Sequence, residues 1–519
     1  MAGVVVPVHA YHDGTKHHFH RFARSLGYLD WASQPSPFRS FAGAAEIPLW
    51  PGPAASMTSI GDVLRHALGL SAWKQFGASR WALRVNPSSG NLHPTEAFVI
   101  AGAALGQGDT PGVYHYAADR HALEQRCAFG AAAWPADAAD SDAWLIALTS
   151  IHWREAWKYG ERAFRYCQHD MGHAIAAVRI AAAMAGCRAA LLPEWSHADI
   201  ATLTGIDRDE DYVEAEREEP GCLMVVRRSA FDVRRSEFSV RRSELLEAVR
   251  AGRWTGRASQ LSEDHTTWAF IDEIAAATRD PGRAIQPIPS PDYPITRLPD
   301  RPLVLQRRSA VSLDGMSAID AATFFAMLSA VMPQPSPPWD ALWWDARIHL
   351  AIFVHRVDGV APGVYVLARD PAAVDRLRAA CGRELLWERA SDTLPLYRLA
   401  PGDSRSVARR LSCDQDIAAD GFFSLGMLAD FDASLDAFGP SFYRHLFWES
   451  GFVGQLLYLA AEAAGARATG IGCFYDDPVH DLLGITDHSF QSLYHFTVGI
   501  PVEDGRLTTE PGYPWEVRS

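Results

Sequence analysis

The chain has 519 residues, of which 48% are hydrophobic and 21% are charged, and it carries a net charge of −14. This length predicts two to four domains with cores of their own, and the composition excludes a disordered, collagen-like or coiled-coil chain. Because the basic residues are spread among a larger number of acids, we expect no nucleic-acid partner and no anionic membrane surface as a partner.

The sequence indicates neither a targeting segment nor a metal site. The N-terminal apolar stretch is too short for a signal peptide, and the apolar run 174–192 is broken by two arginines, so we expect a cytoplasmic protein without a membrane span. The seven cysteines lack C-x-x-C spacing and are predicted to be free thiols. Cys167, His169 and His173 could share a helix face, but no carboxylate supports them, and we predict no metal.

Taken in chain order, the apolar runs predict an α+β fold that occurs twice. In the first copy we predict strands at 97–101 and 222–226, a strand that begins after the turn 111–114, and a helix at 171–184. Two further helices are predicted at 243–254 and 266–279. In the second copy we predict strands at 349–355 and 493–500, a strand that begins after the turn 362–365, and a helix at 451–464. We place the first domain at residues 1–235, a helical and proline-rich linker at 236–302 and the second domain at 303–519. Pro281–Pro302 contains seven prolines and is predicted to be extended.

An internal repeat supports the two copies. Gly186–Leu192 recurs as Gly465–Ile471 at a shift of 279 residues, and Pro-Gly-Val-Tyr occurs in both halves. The shift of 279 also pairs three residues just upstream: Arg165 with Arg444, Asp170 with Glu449 and Gly172 with Gly451.

Lysine and asparagine are almost absent from the chain. Only Lys16, Lys74 and Lys158 are lysines, and only Asn86 and Asn91 are asparagines. Biased coding explains the depletion, but arginine cannot replace a lysine that must release its proton, and aspartate cannot replace an amide that both donates and accepts hydrogen bonds. The surviving residues are therefore the first candidates for chemistry, although Lys74 has no motif around it and is predicted to lie at the surface.

Both asparagines lie in a loop that precedes a predicted strand. The segment Asn86–Leu92 contains no charged side chain, and its serines and amides offer neutral donors and acceptors. Such a loop suits a flat heterocycle with polar edges better than a phosphate, although an ordinary turn has the same composition.

At this point the motifs resemble those of a known family. Pro87–Asn91, Pro111–Tyr116 and Trp157–Tyr166, followed by Gly172-His173, resemble the FMN-dependent nitroreductase superfamily, and most closely the azoline dehydrogenases that oxidise thiazolines and oxazolines in peptide maturation. The resemblance implies two tandem nitroreductase-like α/β sandwich domains, which would form an intramolecular pseudo-dimer with FMN between them.

The resemblance also implies the cofactor-binding residues. In the family an Arg-Arg-Ser motif holds the phosphate end, a Pro-Ser-Ser loop borders the flavin ring, a glycine turn faces its N5 edge, and a late basic residue lies near the phosphate. The matching residues here are Arg307, Arg308 and Ser309; Pro87, Ser88, Ser89, Gly90 and Asn91; Gly470, Ile471 and Gly472; and Arg506. Each copy lacks the motifs that the other supplies, so we expect one FMN per chain and an empty, degenerate second site.

Lys158 and Tyr159 match a Lys-Tyr pair that the azoline dehydrogenase branch uses to remove the substrate proton. A lysine acts as a base only when its surroundings favour the neutral amine, and a tyrosine can relay or polarise. The alternative interpretation is a solvated helix face on which Lys158 pairs with Glu155 or Glu161. The compact cluster Tyr11–His17, which contains Lys16, has no assigned role.

The function predicted from the sequence is that of an FMN-dependent oxidoreductase related to azoline dehydrogenases, with hydride transfer to flavin N5. Two alternatives remain open: an NAD(P)H-dependent nitro or quinone reductase, and a non-catalytic flavin- or peptide-binding scaffold. We expect a small-molecule or modified-peptide substrate and a monomer that acts as a pseudo-dimer.

Overall fold

In the computed structural model, residues 2–49, 58–102, 111–134, 143–228, 241–284, 299–382 and 384–518 are described. Each half of the chain is built on one large sheet whose named strands pair antiparallel. The strands of the first sheet are Ala45–Pro48, Thr95–Ala101, Gly112–Ala117, Ala122–Ala128, Trp144–Ser150, Arg188–Leu191, Glu219–Arg227 and Arg253–Trp254; those of the second are Ile348–Val354, Gly363–Leu367, Glu388–Arg389, Leu396–Pro401, Phe423–Asp430, Arg467–Ile471 and Phe490–Gly499.

The two sheets have the same strand order along six strands, and differ in the outer strand, Arg253–Trp254 in the first and Glu388–Arg389 in the second. In each, the first long strand lies between its hairpin partner and a later strand, and the C-terminal long strand lies next to a short strand that follows the longest helix. Thr95–Ala101 and Ile348–Val354 occupy equivalent positions and are buried along their whole length, which explains the apolar runs 97–101 and 350–354 within them.

The helices cover the sheets and the space between the halves. They are Ala2–Gly14, Thr58–Ala67, His152–Tyr159, Ala163–Met184, His197–Thr204, Arg242–Arg250, Ala269–Ala277, Arg301–Gln306, Ala321–Ala330, Val374–Ala380, Arg405–Leu411, Ile417–Asp420, Phe431–Phe438, Phe442–Ala463 and Asp476–Leu483. Among the described residues, none of these helices combines the length and the apolar character needed to cross a bilayer.

The two longest helices, Ala163–Met184 and Phe442–Ala463, have 22 residues each and pack against one another at the centre of the molecule. A Cβ atom on Gly172 would lie 2.1 Å from the backbone oxygen of Trp448, and one on Gly451 would lie 2.1 Å from that of His169. The shift of 279 relates the two contacts, as the two-fold axis of a dimer relates equivalent contacts. The repeated glycines therefore let the two backbones touch.

The ends of the chain cross from one half to the other. The N-terminal helix Ala2–Gly14 packs on the second half, where His12 Nε2 lies 3.0 Å from Oε1 of Gln491. The C-terminal strand Thr508–Pro511 pairs antiparallel with Leu70–Phe76 of the first half. Each half is thus completed by a segment from the far end of the chain.

The predicted strands and helices match elements of the structure, with shifts of a few residues at their ends. The helix predicted at 243–254 is wrong at its end, because the helix stops at Arg250 and Arg253–Trp254 pairs as a strand with the first sheet. The predicted linker differs at its end, because Arg301 and Pro302 begin the helix Arg301–Gln306. Proline is tolerated there since the first turn of a helix needs no backbone donor. Most of the remaining proline-rich run, residues 285–298, lies outside the described residues.

We expect Gly172→Ala and Gly451→Ala each to lower the free energy of unfolding by about 3 kcal/mol or more, because the added methyl group collides with a backbone oxygen that cannot rotate away. Urea denaturation followed by circular dichroism measures this change. Gly61→Ala, in the helix Thr58–Ala67, is the control, since its methyl group would meet Leu49 at an ordinary 3.6 Å. Equal stability of all three variants would contradict the backbone contact.

Candidate functional site

A cavity of about 700 Å³ lies between the two halves, and both contribute to its wall. Three sequence motifs that are far apart in the chain meet there. The predicted residues that line the cavity are Pro87, Ser88, Ser89, Gly90 and Asn91 from the first half, and Arg307, Arg308, Ser309, Gly470, Ile471 and Gly472 from the second. A cavity of this volume accommodates a ligand of the size of a nucleotide cofactor.

The loop Pro87–Asn91 is shaped by two residues with left-handed backbone conformation, Gly90 at φ 59° and Asn91 at φ 60°. Asparagine tolerates this conformation because its side chain bonds locally. Asn91 Nδ2 donates to the backbone oxygen of Ala82 at 2.9 Å, and its Oδ1 lies 3.0 Å from His93 Nε2. Asn91 therefore holds the loop in place, whereas the buried Oδ1 of Asn86, which also lines the cavity, has no hydrogen-bond partner among the described residues.

Two arginines of the second half hold this loop from the other side. Arg307 donates from Nε to the backbone oxygen of Val85 at 2.9 Å and from Nη2 to that of Arg84 at 3.2 Å. Arg308 donates from Nη2 to the backbone oxygen of Ser71 at 3.0 Å. The Nη1 atom of Arg307 is buried and has no partner within the described part of the chain. The Arg-Arg-Ser segment thus joins the halves and still presents a free donor.

The segment Gly470–Gly472 forms part of the cavity wall, and Gly470 and Ile471 are the last two residues of the strand Arg467–Ile471. Gly470 donates its N–H to the Tyr458 hydroxyl at 2.9 Å, and that hydroxyl also lies 2.9 Å from Ser309 Oγ. A Cβ atom on Gly470 would lie 1.9 Å from the Tyr494 hydroxyl, and one on Gly472 would collide with the Tyr166 ring. The close approach of these two tyrosines explains why positions 470 and 472 are glycines.

Arginine and lysine side chains outnumber the acids Asp170, Glu503 and Asp504 in the wall of the cavity. Arg308, Arg467 and Lys74 all line it together with Arg307. Burial, reinforced by the neighbouring Arg307 and Arg467, lowers the pKa of Arg308 to about 10. Burial also lowers the pKa of Lys74, whose Nζ donates to Thr509 Oγ1 at 2.7 Å. Crowded cations of this kind favour a bound anion, and Lys74 lines the cavity although no motif in the sequence marked it.

Asp170 is a site residue that the sequence marked only through the repeat. It is 1% exposed and lines the cavity, where its Oδ1 accepts from the backbone N–H of Ser89 at 3.1 Å. Its Oδ2 has no partner among the described residues, and burial raises the pKa of its carboxyl group to about 7. Its counterpart Glu449 instead accepts from Trp344, Arg369 and the backbone of Arg347 and Ile348. Only Asp170 is free to act on a ligand.

Lys158 and Tyr159 lie beside the loop. A Cβ atom on Gly90 would lie 3.2 Å from Lys158 Nζ and 2.7 Å from the Tyr159 hydroxyl. Tyr159 lines the cavity, and Lys158 does not. Of the two acids on the helix around Lys158, Glu161 pairs with Arg24 at 3.8 Å, and Glu155 is fully buried. Burial raises the pKa of the Glu155 carboxyl group, and the charge of the nearby Lys158 opposes that rise.

Arg506 lies outside the cavity. Its side chain is 74% exposed and pairs with Asp504 at 2.7 Å. Arg467, which does line the cavity, provides a late cation instead.

The pseudo-symmetric position in the other half has a cavity of only about 20 Å³. The shift of 279 residues makes Leu191–Pro193 the counterpart of Gly470–Gly472, and His445 the counterpart of Tyr166. Leu191–Pro193 and His445 line the small cavity. Trp343 fills the space, with its ring 5.5 Å from that of His445. A volume of this size holds at most a water molecule. The second site is therefore closed by aromatic and aliphatic side chains.

The described residues contain one cluster with the spacing of metal ligands, at His17, Cys413 and Cys473. Cys167, His169 and His173 do not form such a cluster. His173 lines the cavity, and His169 stacks on Tyr494 with ring centroids 4.1 Å apart.

Comparison with known proteins agrees with this architecture. Residues 363–500 match a family model described as the nitroreductase family. This match lies entirely within the second half of the chain. The whole chain is similar in fold to a putative nitroreductase from Anabaena variabilis, with 21% identity, coverage of 96% of this chain and 99% of the other, and a TM-score of 0.71. The predicted α+β fold in two tandem copies is confirmed.

More distant similarities cover about one half of the chain. The E. coli microcin synthetase McbBCD complex with truncated pro-MccB17 bound is 16% identical over 44% of this chain and 77% of its own, with a TM-score of 0.29. A putative nitroreductase from Ralstonia eutropha is 16% identical over 42% and 89%, with a TM-score of 0.28. No curated protein matches the chain.

We expect Asp170→Asn to stabilise the flavin-free protein more at pH 8 than at pH 5. Because the pKa of Asp170 is raised from 3.8 to about 7, its contribution to folding is present below about pH 4 and is lost as pH rises through 7. The gain in unfolding free energy is a few kcal/mol, about 1.4 kcal/mol for each pKa unit.

Thermal unfolding of both proteins at the two pH values measures this difference. Glu449→Gln is the matched control and should destabilise at both values, because its carboxylate accepts several buried hydrogen bonds. A gain for Asp170→Asn that is equal at pH 5 and pH 8 would show that Asp170 titrates normally.

Proposed function

We propose that the chain is an FMN-dependent oxidoreductase with one flavin site between its halves. The observation that carries this proposal is the 700 Å³ cavity, where the Pro87–Asn91 loop of one half meets the Arg307–Ser309 and Gly470–Gly472 segments of the other. The nitroreductase-family match over residues 363–500 supports the same conclusion.

The residues of the cavity fit FMN at both of its ends. A phosphate needs cations and donors, and Arg308, Arg467 and the free Nη1 atom of Arg307 supply them. A flavin ring needs flat walls and polar groups at its edge, which Tyr494 and the unpartnered Asn86 Oδ1 offer. Gly470 and Gly472 let the side chains of Tyr494 and Tyr166 pack directly on the backbone at the cavity wall.

When bound, FMN supplies the two-electron chemistry, and the protein supplies binding, orientation and proton transfer. Lys158 would remove the carbon-bound proton of the substrate, with Tyr159 polarising or relaying it. Asp170 would hold a proton on its unpartnered Oδ2 near neutral pH and could donate a hydrogen bond into the cavity. These roles suit a dehydrogenase related to azoline oxidases, acting on a small molecule or a modified peptide.

Purified protein supplemented with FMN should hold one FMN per chain, measured by absorbance after release of the flavin. Arg467→Ala should weaken FMN binding about tenfold or more, because it removes a partly buried cation that lines the cavity and that a phosphate could take over from Glu462 and Glu503. Arg506→Ala should change the dissociation constant less than twofold, since that side chain does not line the cavity and is 74% exposed in its pair with Asp504. Two FMN per chain would show that the small second cavity opens.

Lys158→Ala should keep its FMN but lose turnover of an azoline-containing peptide by about a hundredfold or more, which is the usual contribution of a general base. Lys158→Arg should be equally impaired, because arginine does not release its proton near neutral pH. The readout is substrate oxidation monitored by the loss of two hydrogen masses.

Unchanged activity of Lys158→Ala with NAD(P)H and a nitro or quinone substrate would instead favour a reductase, which needs no such base. Bound FMN that no hydride donor reduces and no substrate turns over would favour a non-catalytic scaffold.

A further inference from the structure

Two cysteines and a histidine meet at the edge of the cavity, although they come from three distant segments. The sulfurs of Cys413 and Cys473 lie 2.9 Å apart, and His17 Nδ1 lies 3.9 Å from Cys473 Sγ. Both thiols are half-buried, so they are neither locked in the core nor freely exposed. The flavin chemistry proposed above uses none of the three side chains.

Backbone hydrogen bonds fix the three segments relative to one another. Tyr475 donates its N–H to the backbone oxygen of Leu411 at 2.8 Å, and Gln415 Nε2 donates to that of Cys473 at 3.0 Å. Asp476 donates its N–H to the backbone oxygen of His17 at 3.0 Å. The contact between the sulfurs is therefore set by the fold around it.

The spacing of the sulfurs favours a disulfide over a bound metal. Zinc lies about 2.3 Å from each thiolate in a tetrahedral site, which would place two sulfur ligands about 3.8 Å apart. The observed 2.9 Å is much closer, and a small approach brings the sulfurs to the bond length of about 2.05 Å. The described residues also supply only three ligands to this cluster, where a closed structural site needs four.

The surroundings activate one of the two thiols. The hydrogen bond with Cys413, together with His17 and Arg162, lowers the pKa of Cys473, and the same contact raises the pKa of Cys413. The lowered pKa increases the fraction of Cys473 that is thiolate at neutral pH. A thiolate beside a second thiol is the arrangement from which a disulfide forms.

Cys473 joins this pair to the cavity. It directly follows Gly472 in the glycine turn, and both residues line the cavity wall. Gln415, two residues after Cys413, lines the cavity as well. A ligand in the cavity thus lies next to the reactive member of the pair.

We propose that Cys413 and Cys473 form a dithiol–disulfide couple that exchanges two electrons with the flavin of the neighbouring cavity. The proposal rests on the FMN site proposed above. In the oxidising direction the Cys473 thiolate and the Cys413 thiol form one S–S bond and release two electrons and one proton, which oxidised FMN takes up to become reduced anionic FMN. In the opposite direction the disulfide breaks and accepts the same two electrons and the proton from reduced FMN.

The test is an anaerobic dithionite titration of the FMN-loaded protein after oxidation with diamide and removal of the excess. Wild-type protein should take up four electrons per chain before it is fully reduced, two for FMN and two for the disulfide. Cys413→Ser and Cys473→Ser should each take up two, with FMN still bound. Cys381→Ser, which removes another half-buried free thiol, is the matched control and should take up four.

Peptide mass spectrometry of alkylated protein detects the Cys413–Cys473 disulfide independently of the flavin. Diamide-treated wild-type protein should yield a Cys413–Cys473 cross-linked peptide two hydrogen masses lighter than its reduced parts. Bound FMN with an uptake of only two electrons would overturn the exchange and leave the proposed function intact. Failure to bind FMN would overturn both, while the cross-link would still report on the couple. One equivalent of zinc per chain that is lost in Cys413→Ser would replace the couple by a metal site.

Discussion

The contact between the two central helices is the constraint on which the rest of the molecule depends. At Gly172 and Gly451 the helix backbones approach so closely that a single added carbon would lie 2.1 Å from a backbone oxygen. Helices that touch in this way fix both their separation and their rotation, because no side chain can slide between them. The two sheets are carried by these helices, so the width of the space between the halves follows from the same contact.

The two copies of the fold meet at this contact, but the two equivalent positions at their interface differ in structure. One interface position holds a cavity of about 700 Å³, and its counterpart is reduced to about 20 Å³. The difference lies in a few exchanges between equivalent positions, above all glycine against Leu191–Pro193 and the free carboxyl of Asp170 against the fully bonded Glu449. Aromatic and aliphatic side chains fill the closed side, while the open side keeps room next to buried polar atoms without partners, among them Asp170 Oδ2 and Arg307 Nη1. Such unsatisfied groups are costly in a folded protein and are expected where a ligand completes them.

Non-covalent contacts between the two halves stabilise the walls of the 700 Å³ cavity. Arg307 bonds to the backbone in front of the Pro87–Asn91 loop, the strand Thr508–Pro511 pairs with Leu70–Phe76, and the N-terminal helix Ala2–Gly14 packs on the second half. The segment just after that helix brings His17 to Cys473 at the cavity edge. The same exchange of chain ends that stabilises the pair of domains thus also assembles the sulfur cluster.

The sequence by itself determined the two copies, their main strands and helices, and the three motifs that meet in the cavity, because apolar periodicity and tight glycine or proline turns are local properties of the chain. It did not determine the neighbours of each side chain. Arg506 and Lys74 carried no local signal for their positions, and Asp170, Cys413 and Cys473 gain their chemistry from burial and from residues at least 60 positions away. Only the tertiary structure decides such features, since desolvation, charge crowding and sulfur contacts depend on distances that no local pattern encodes.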